Sequence, residues 1–182
     1  MDPRLAAAIA HTEQARADLL ATVERLAPEL REARPSLEAW SAAEILEHLA
    51  RTEKGIVKLV ALKVGELAAA GASGADQPTP APIDAQRFRM VVESTARMEA
   101  PERTRPAGEL SADAALRALR ETRALLHNEL ARGDGLPLAV AVHPHPFLGP
   151  LDLHEWVWFI GAHEQRHTAQ LGALVTHFAT VA

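Results

Sequence analysis

Apolar side chains recur every three or four residues in four segments of this 182-residue chain. This interval places them along one face of an α-helix, so each segment predicts an amphipathic helix. The inward faces of the first and second helices are Leu5, Ile9, Thr12, Leu19, Val23 and Leu26, and Ile45, His48, Leu49, Thr52, Ile56, Leu59 and Val60. Those of the third and fourth are Leu116, Leu119, Leu126 and Leu130, and Leu153, Trp156, Ile160, His163, His167, Leu171, Leu174 and Phe178.

Capping sequences indicate where two of these helices begin. Ser41 with Glu44 has the spacing of a capping box, in which each side chain accepts a hydrogen bond from the other residue's backbone N–H. Asp152 with Glu155 repeats that spacing at the fourth helix. Hydrophobic staples flank both boxes, as the pairs Trp40 with Ile45 and Leu151 with Trp156.

Proline and glycine mark the other boundaries. Pro28 ends the first helix and begins a short extra turn, and Gly71 follows the second helix. The third helix begins at the cap Ser111 and ends before Gly133, while the fourth runs to about Phe178.

The connections are rich in Gly, Ser, Pro and Ala. Residues 71–110 predict a long crossover that starts with a surface loop and allows a helical fragment within 83–98. Residues 133–151 predict a second irregular stretch, and no segment shows a strand pattern. We therefore expect an all-α fold, a four-helix bundle with a long crossover between the second and third main helices, as a single domain over residues 1–182.

The composition favours helix and excludes several classes of function. Hydrophobic residues make up 48%, mostly Ala and Leu, and aromatic residues only 4%. The net charge is −5 and the arginines alternate with acidic residues, so we expect solvated helix faces. No basic patch suits a nucleic-acid partner, whose phosphates would require one. The absence of Cys excludes disulfides, Cys-bound zinc and a Cys nucleophile.

The sequence also predicts where in the cell the protein is located. No apolar run approaches the length needed to cross a bilayer, so we expect no membrane partner. Residues 1–5 lead directly into the first helical pattern without the design of a signal peptide, which predicts a cytoplasmic protein.

Three histidines lie on the predicted buried faces. His163 and His167 are one turn apart on the fourth helix, and His48 is on the inward face of the second. An imidazole buried without a partner costs about 1–3 kcal/mol, so three rings meeting there need a common reason. A divalent metal supplies it, because each neutral ring has a lone pair to donate. Three ligands leave an open coordination position, as in catalytic metal sites, while ordinary core histidines are the alternative.

Residues 163–167, His-Glu-Gln-Arg-His, also match the H-E-x-x-H pattern of zinc peptidases. The longer metzincin pattern would need Gly and His where Gln170 and Ala173 lie, and no substrate-binding sheet edge is predicted. We therefore expect Glu164 to be a solvated helix residue, with a role as general base as the alternative.

Two polar residues are candidates for supporting the ligands. Gln170 lies one turn beyond His167 and is placed to hydrogen-bond a ring or a bound water. Thr52 faces the same seam from the second helix. The alternative for both is an ordinary polar residue at the edge of a helix.

The remaining histidines are assigned to loops or to the surface. His143 and His145 lie in a Pro-rich segment, for which a turn is the preferred interpretation and a rim of the site is the alternative. His154 falls in the first turn of the fourth helix and is expected to be exposed. Surface or boundary positions are expected for His11, His127 and His177.

Three short segments occur in an order that is characteristic of one family. They are residues 40–49 (Trp-Ser-Ala-Ala-Glu-Ile-Leu-Glu-His-Leu), residues 145–149 (His-Pro-Phe-Leu-Gly) before a Trp-rich helix, and residues 163–171 (His-Glu-Gln-Arg-His-Thr-Ala-Gln-Leu). Together they resemble the second helix, a loop of the larger branch and the final helix of the DinB/YfiT-like superfamily. The similarity spans nearly the whole chain.

The resemblance implies a four-helix bundle that binds a divalent metal and is frequently a homodimer. It assigns the family's three metal ligands to His48, His163 and His167. Zinc or nickel is the expected ion, and iron, manganese or cobalt would also suit the set. Some relatives transfer small thiols such as bacillithiol, mycothiol or glutathione to electrophiles, or isomerise substrates through such adducts.

Three classes of function follow. The first is a metal-dependent enzyme with a small-molecule substrate, either a thiol S-transferase or a hydrolase that uses metal-bound hydroxide. The second is a non-catalytic, stress-related metal-binding module, and the third is a bundle with core histidines and no metal. Thiol dependence of turnover would separate the transferase from the hydrolase.

Overall fold

The protein is described by a computed structural model that covers residues 2–74, 81–93 and 99–181. Within these ranges there are five α-helices, α1 Pro3–Glu24, α2 Ala42–Ala69, α3 Arg89–Glu93, α4 Ala112–Arg132 and α5 Leu153–Val181. Short 3₁₀ turns occupy Pro28–Leu30, Ala85–Phe88, Glu102–Thr104 and Leu138–Val140, and two strands are β1 Val142–His145 and β2 Gly149–Asp152.

The long helices begin where their capping residues predicted. The Ser41 hydroxyl accepts from the Glu44 N–H while the Glu44 carboxylate accepts from the Ser41 N–H, which confirms the capping box of α2. The same reciprocal pair joins Asp152 and Glu155 at the start of α5. Because these bonds satisfy N–H groups that no helical carbonyl can reach, they fix the first turn of each helix.

The four long helices form the predicted bundle. α1 packs along α5, α2 packs along α4, and α2 also contacts α5. The crossover between α2 and α4 contains α3, which packs on α5 and confirms part of the predicted helical fragment. The rest of that prediction, over residues 94–98, lies outside the described residues. None of the helices in the described ranges is long and apolar enough to cross a membrane.

The core consists of two apolar clusters stacked along the bundle. One surrounds the fully buried Phe88 and includes Val157 of α5. The other is built from Leu19, Leu46 and Leu119 together with neighbouring aliphatic residues. Charged side chains lie between the two clusters, and their arrangement is described with the site below.

A β-hairpin corrects the expectation that residues 133–151 are irregular and that the chain has no strand. β1 and β2 pair antiparallel, with Val142 opposite Asp152 and Pro144 opposite Pro150. A strand signal was missing because each strand has only four residues and contains proline, which donates no ladder hydrogen bond. Gly149 has a φ of 70°, a conformation that residues with a Cβ rarely adopt, and it begins the returning strand.

The contact between α1 and α5 depends on the absence of a side chain at Gly161. A Cβ built there would lie 2.5 Å from Cδ2 of His11 and 3.2 Å from Cα of Thr12. We therefore expect Gly161→Ala to lower the free energy of unfolding by about 1–3 kcal/mol, as overpacking of a core does. Urea unfolding of the purified variant measures this change.

Gly172→Ala is the matched control, because it lies on the same helix and its Cβ would meet no atom within 4 Å. Alanine is the better helix former by about 1 kcal/mol, so this variant should be as stable as the wild type or more stable. Equal stabilities for the two variants would show that α1 and α5 approach each other less closely than described.

Candidate metal centre

Three imidazoles converge between α2 and α5. His48 comes from α2, and His163 and His167 come from successive turns of α5. Nε2 of His163 lies 3.2 Å from Nε2 of His48 and 3.1 Å from Nε2 of His167. One ligand atom of each residue lies within 4.8 Å of the others, so the structure brings together all three predicted ligands.

The outer ring nitrogens of two histidines hold hydrogen-bond partners. Nδ1 of His48 is 2.7 Å from the carbonyl oxygen of Thr104, which can only accept. Nδ1 of His167 is 2.8 Å from Oε1 of Gln170. These contacts place the proton on Nδ1 of each ring and leave the Nε2 lone pair directed at the centre, the usual arrangement of metal-binding histidines.

The nitrogen spacing suits a single first-row metal ion. Two nitrogens about 2.1 Å from one ion are about 3.0 Å apart at a right angle and about 3.4 Å apart at a tetrahedral angle. The two measured separations, 3.2 Å and 3.1 Å, fall between these values. Without an ion, lone pairs would face one another at hydrogen-bond distance with too few protons between them, so the donor set fits a divalent metal.

Burial keeps the three rings neutral. Desolvation lowers the pKa of His167 to about 3 and the pKa of His163 well below its usual value. It also lowers the pKa of His48, although the Thr104 carbonyl opposes the shift. The positive charge of Arg166 acts in the same direction as burial on all three. Neutral rings at pH 7 carry the lone pairs that metal binding requires.

The metal-free protein should lose stability as the pH falls from about 6.5 to about 5. An imidazole with a pKa of about 3 when folded and about 6.5 when unfolded takes up its proton only on unfolding in that window. Unfolding therefore becomes easier as pH falls, and His167 alone accounts for about 2 kcal/mol between pH 7 and pH 5. Urea unfolding of chelator-treated protein at several pH values measures the slope.

His167→Gln should make this dependence shallower, because it removes one of the rings whose pKa is lowered on folding. His177→Gln is its control, since His177 is exposed on the same helix. A wild-type protein equally stable at pH 6.5 and pH 5 would contradict the prediction.

The two predicted supporting residues lie beside the ligands. Gln170 contacts Nδ1 of His167 as given above. Thr52 lines a small cavity with His163 and Glu164, and its buried hydroxyl has no hydrogen-bond partner in the described part of the chain. Their roles in supporting a metal stay predictions.

Glu164 corrects the expectation of a solvated residue, because its side chain is only 2% exposed. Its Oε1 accepts from Arg16 at 2.5 Å and from Arg123 at 3.1 Å. Glu53 accepts from the same two guanidiniums, at 2.6 Å and 2.7 Å. The sequence pattern predicted solvated arginines, but Arg16 and Arg123 are buried. Together with Glu53 and Glu164 they form a buried ion-pair cluster that has one member from each long helix.

This cluster explains why Glu164 is interior. A buried carboxylate is stabilised when its charge is paired and it accepts hydrogen bonds, as Oε1 of Glu164 does from both arginines. Burial opposes ionisation of Arg123, but the carboxylates of Glu53 and Glu164 raise its pKa above the usual value. Oε2 of Glu164 is buried and has no hydrogen-bond partner in the described part of the chain, and burial raises the pKa of Glu164 above its usual value although Arg16 and Arg123 oppose the shift. Glu164 thus links helices through Oε1, and its alternative role as general base stays a prediction.

A cavity of about 550 Å³ opens beside the three imidazoles. Its apolar wall includes Trp40, Trp156 and Phe159, and the Phe159 ring stacks on His163 with centroids 5.4 Å apart. Arg103 and Arg166 contribute positive charge to the lining. The cavity is large enough for a small organic ligand next to the open side of the ligand set.

The hairpin forms part of the rim of this cavity. His143 and His145 were expected in a turn, but both belong to β1 and line the cavity, as the alternative interpretation had it. The turn lies immediately after them, at residues 146–148.

His154 was expected to be exposed and is in fact 1% exposed. Its Nε2 lies 3.0 Å from Oδ2 of Asp2, so the first residues of the chain cover it. His11 is half-buried at the boundary, and its ring stacks on Trp158 with centroids 4.0 Å apart. His127 and His177 are exposed, as expected.

Two contributors to the site were not predicted. The Thr104 carbonyl comes from the crossover and has no signal in the sequence, because every residue carries a carbonyl. Arg166 is 8% exposed, and its Nη1 lies 3.4 Å from the carbonyl oxygen of Val91. Arg166 lies three residues after His163, which places it on the same side of the helix. This spacing could have predicted that Arg166 lies near the site.

Comparisons with known proteins agree with this fold. The chain is 27% identical over 139 residues to the protein YuaE of Bacillus subtilis (strain 168). That alignment covers 76% of this chain and 78% of YuaE. It superimposes with a TM-score of 0.57 on the crystal structure of TT2238, a four-helix bundle protein, at 23% identity. That superposition covers 93% of this chain and 98% of TT2238 and supports the bundle fold.

A family-level match covers the site as well as the bundle. The sequence profile of the DinB superfamily matches residues 11–171, a range that contains the three converging histidines, the buried ion-pair cluster and the hairpin. The chain therefore belongs to the DinB superfamily.

Proposed function

We propose that this chain holds one divalent metal ion on His48, His163 and His167 and transfers a small thiol to an electrophilic substrate. The supporting observation is the convergence of three Nε2 atoms at the wall of an apolar cavity of about 550 Å³. When bound there, the metal would keep a thiol sulfur as thiolate, the stronger nucleophile. Zinc and nickel are the ions expected for an all-imidazole set.

The chain's own residues would shape the surroundings of that sulfur. Trp40 tilts over His48 with ring centroids 5.1 Å apart, and Phe159 stacks on His163. These aromatic rings limit the access of water, which would otherwise hydrate a thiolate and weaken it as a nucleophile. The lining holds two guanidiniums, of Arg103 and Arg166, against one carboxylate, of Glu99, and this balance favours a negatively charged ligand in the same cavity.

Thiol transfer is favoured over hydrolysis by the position of Glu164. A metal-dependent hydrolase generally uses a carboxylate or another base beside the open coordination position. The candidate in the H-E-x-x-H segment is Glu164, whose Oε1 is held by Arg16 and Arg123. Its Oε2 has no hydrogen-bond partner in the described residues, but Glu164 lines a separate small cavity and not the cavity of about 550 Å³ beside the three imidazoles. Thiolate attack needs no such base, because the nucleophile is already deprotonated.

The test is thiol-dependent turnover by metal-loaded protein. Protein loaded with Zn²⁺ or Ni²⁺ would be mixed with glutathione, bacillithiol or mycothiol and 1-chloro-2,4-dinitrobenzene, and the aryl thioether followed by its absorbance. We expect turnover with at least one thiol, lost in His163→Ala and kept in His177→Ala, since His177 is exposed and remote from the cavity lining. Fully metal-loaded protein that consumes none of these thiols above the His163→Ala background would contradict the proposal.

A further inference from the structure

His145 is held in one orientation by the turn that follows it. It is the last residue of β1, and its Nδ1 accepts from the backbone N–H groups of Phe147 and Leu148, each at 3.2 Å. A nitrogen that accepts two N–H donors has no room for a proton of its own. The neutral ring must therefore carry its proton on Nε2.

The ring is also kept neutral. Burial, followed by the positive charge of Arg87, lowers the pKa of His145 to about 4. At neutral pH the residue is thus a fixed N–H donor and not a cation. A neutral imidazole with a set tautomer can stabilise charge on a substrate oxygen without first losing a proton of its own.

The free side of this ring belongs to the same cavity as the three ligand histidines. His145 lines that cavity, and its Nε2 makes no hydrogen bond to any residue within 2–74, 81–93 or 99–181. The ring lies 4.5 Å from Phe159 and 5.2 Å from Trp156, measured between centroids. Phe159 stacks in turn on His163, so one aromatic ring separates the N–H donor from the ligand set.

We propose that the Nε2–H of His145 binds a carbonyl oxygen of the substrate, and that the electrophile is a carbonyl-activated alkene. This inference rests on the proposed thiol transfer and names its substrate class. The thiolate sulfur forms a bond to the β-carbon while the carbon–carbon π bond breaks, and the electron pair moves onto the carbonyl oxygen as an enolate. A proton from water then adds to the α-carbon, which replaces the proton that the thiol released.

His145 stabilises the enolate oxygen in this step and keeps its own proton. A preorganised donor aimed at a developing oxyanion typically contributes about 100-fold or more to kcat. The aromatic residues around it suit the hydrocarbon part of such a substrate, since Trp156 and Phe159 flank the donor.

His145→Asn is the variant that isolates the donor. The Oδ1 of Asn can accept from the N–H groups two and three residues ahead, as Nδ1 of His145 does, but Asn has no group in the position of Nε2. His177→Asn is the matched control, because it makes the same substitution at an exposed histidine that does not line the cavity. Unchanged backbone amide shifts of Phe147 and Leu148 would show that the turn is intact.

The first measurement does not depend on catalysis. Long-range ¹H–¹⁵N spectra of histidine-labelled protein should show His145 as the Nε2–H tautomer, unchanged from pH 7.5 to pH 5.5. A proton on Nδ1, or a charged ring at pH 6, would overturn the inference.

The second measurement compares two ligands of matched shape, acetophenone and ethylbenzene. In the wild type, acetophenone should shift the His145 Nε2 resonances, and His145→Asn should weaken its binding about three- to ten-fold, the value of one hydrogen bond. Ethylbenzene should bind both proteins equally, and His177→Asn should bind both ligands as the wild type does. Equal loss of both ligands in His145→Asn would overturn the donor role.

Turnover separates this inference from the proposed function. With 4-phenyl-3-buten-2-one and the active thiol, His145→Asn should lower kcat about 100-fold, while attack on benzyl bromide, which has no oxygen, should change less than two-fold. Equal losses on both electrophiles would overturn the substrate class and leave thiol transfer standing. If the wild type uses no thiol, the proposed function fails, and the tautomer and acetophenone results still decide the role of Nε2.

Discussion

Glu53→Ala is expected to lower the free energy of unfolding by about 3–5 kcal/mol, the cost of removing one partner from a buried ion pair. Glu53 is 2% exposed and accepts from Arg16 at 2.6 Å and from Arg123 at 2.7 Å. Without it, Glu164 would be the one buried carboxylate of the cluster left for the two guanidiniums, and the half-exposed Glu13 would remain 2.8 Å from Arg123. Denaturant unfolding of metal-free protein measures the loss, with the slope m checked for constancy.

The control is an ion pair of the same residue types on the surface. Glu93 contacts Arg89 at 2.9 Å on α3, and both side chains are 60% exposed. Because water screens such a pair, Glu93→Ala should change stability by less than about 0.5 kcal/mol. If Glu53→Ala does not fold, Glu53→Gln, which keeps the shape and part of the hydrogen bonding, should still fold with reduced stability. A loss below about 1 kcal/mol in Glu53→Ala would contradict the cluster as described.

His163→Ala is expected to abolish metal binding, because it removes the ligand whose Nε2 lies between those of His48 and His167. The wild type should hold about one equivalent of Zn²⁺ or Ni²⁺ per chain after dialysis, and the variant none, by elemental analysis. Zn²⁺ at 100 times its Kd should add about 2.7 kcal/mol to the unfolding free energy of the wild type and nothing to that of the variant.

Gln170→Ala tests the supporting contact at the same centre. It removes the acceptor at 2.8 Å from Nδ1 of His167 and keeps all three ligands. Loss of such an outer partner should weaken metal affinity about 10- to 100-fold. His177→Ala, an exposed histidine on the same helix, should bind metal as the wild type does. A full equivalent of tightly held metal in His163→Ala would refute the three-histidine centre.

The buried cluster also bears on how the helices align. Arg16, Glu53, Arg123 and Glu164 come from α1, α2, α4 and α5, and they lie between the two apolar clusters. Sliding one helix by a turn would leave a buried charge without its partner, at a cost of several kcal/mol. The layer therefore favours one register among the many that interchangeable Ala and Leu contacts would tolerate.

Helix boundaries could be predicted because their causes are local. The capping box of Ser41 and Glu44 acts within four residues and has the same chemistry in any fold. The same holds for the inward placement of His163 and His167, which follows from the period of one helix. The hairpin escaped prediction because its four-residue strands contain proline and pair only once the chain has turned.

Burial of charged groups could not be predicted, because their partners are remote in the chain. Glu164 is interior only because Arg16 and Arg123 reach it from α1 and α4. His154 is covered by Asp2, which lies at the opposite end of the sequence. The local sequence pattern predicts a solvated position for each of these polar residues. It contains no information about which helices become neighbours in the fold.

The amino-acid sequence alone determines the four helices, their caps and the three histidines that face inward, because hydrophobic period and capping chemistry act over a few residues. Tertiary structure decides which nitrogen of each ring is free. The Thr104 carbonyl selects the tautomer of His48, and the turn at Phe147 and Leu148 selects that of His145. A tautomer is set by whichever donor or acceptor the fold brings within about 3 Å of the ring, and no sequence interval specifies that distance.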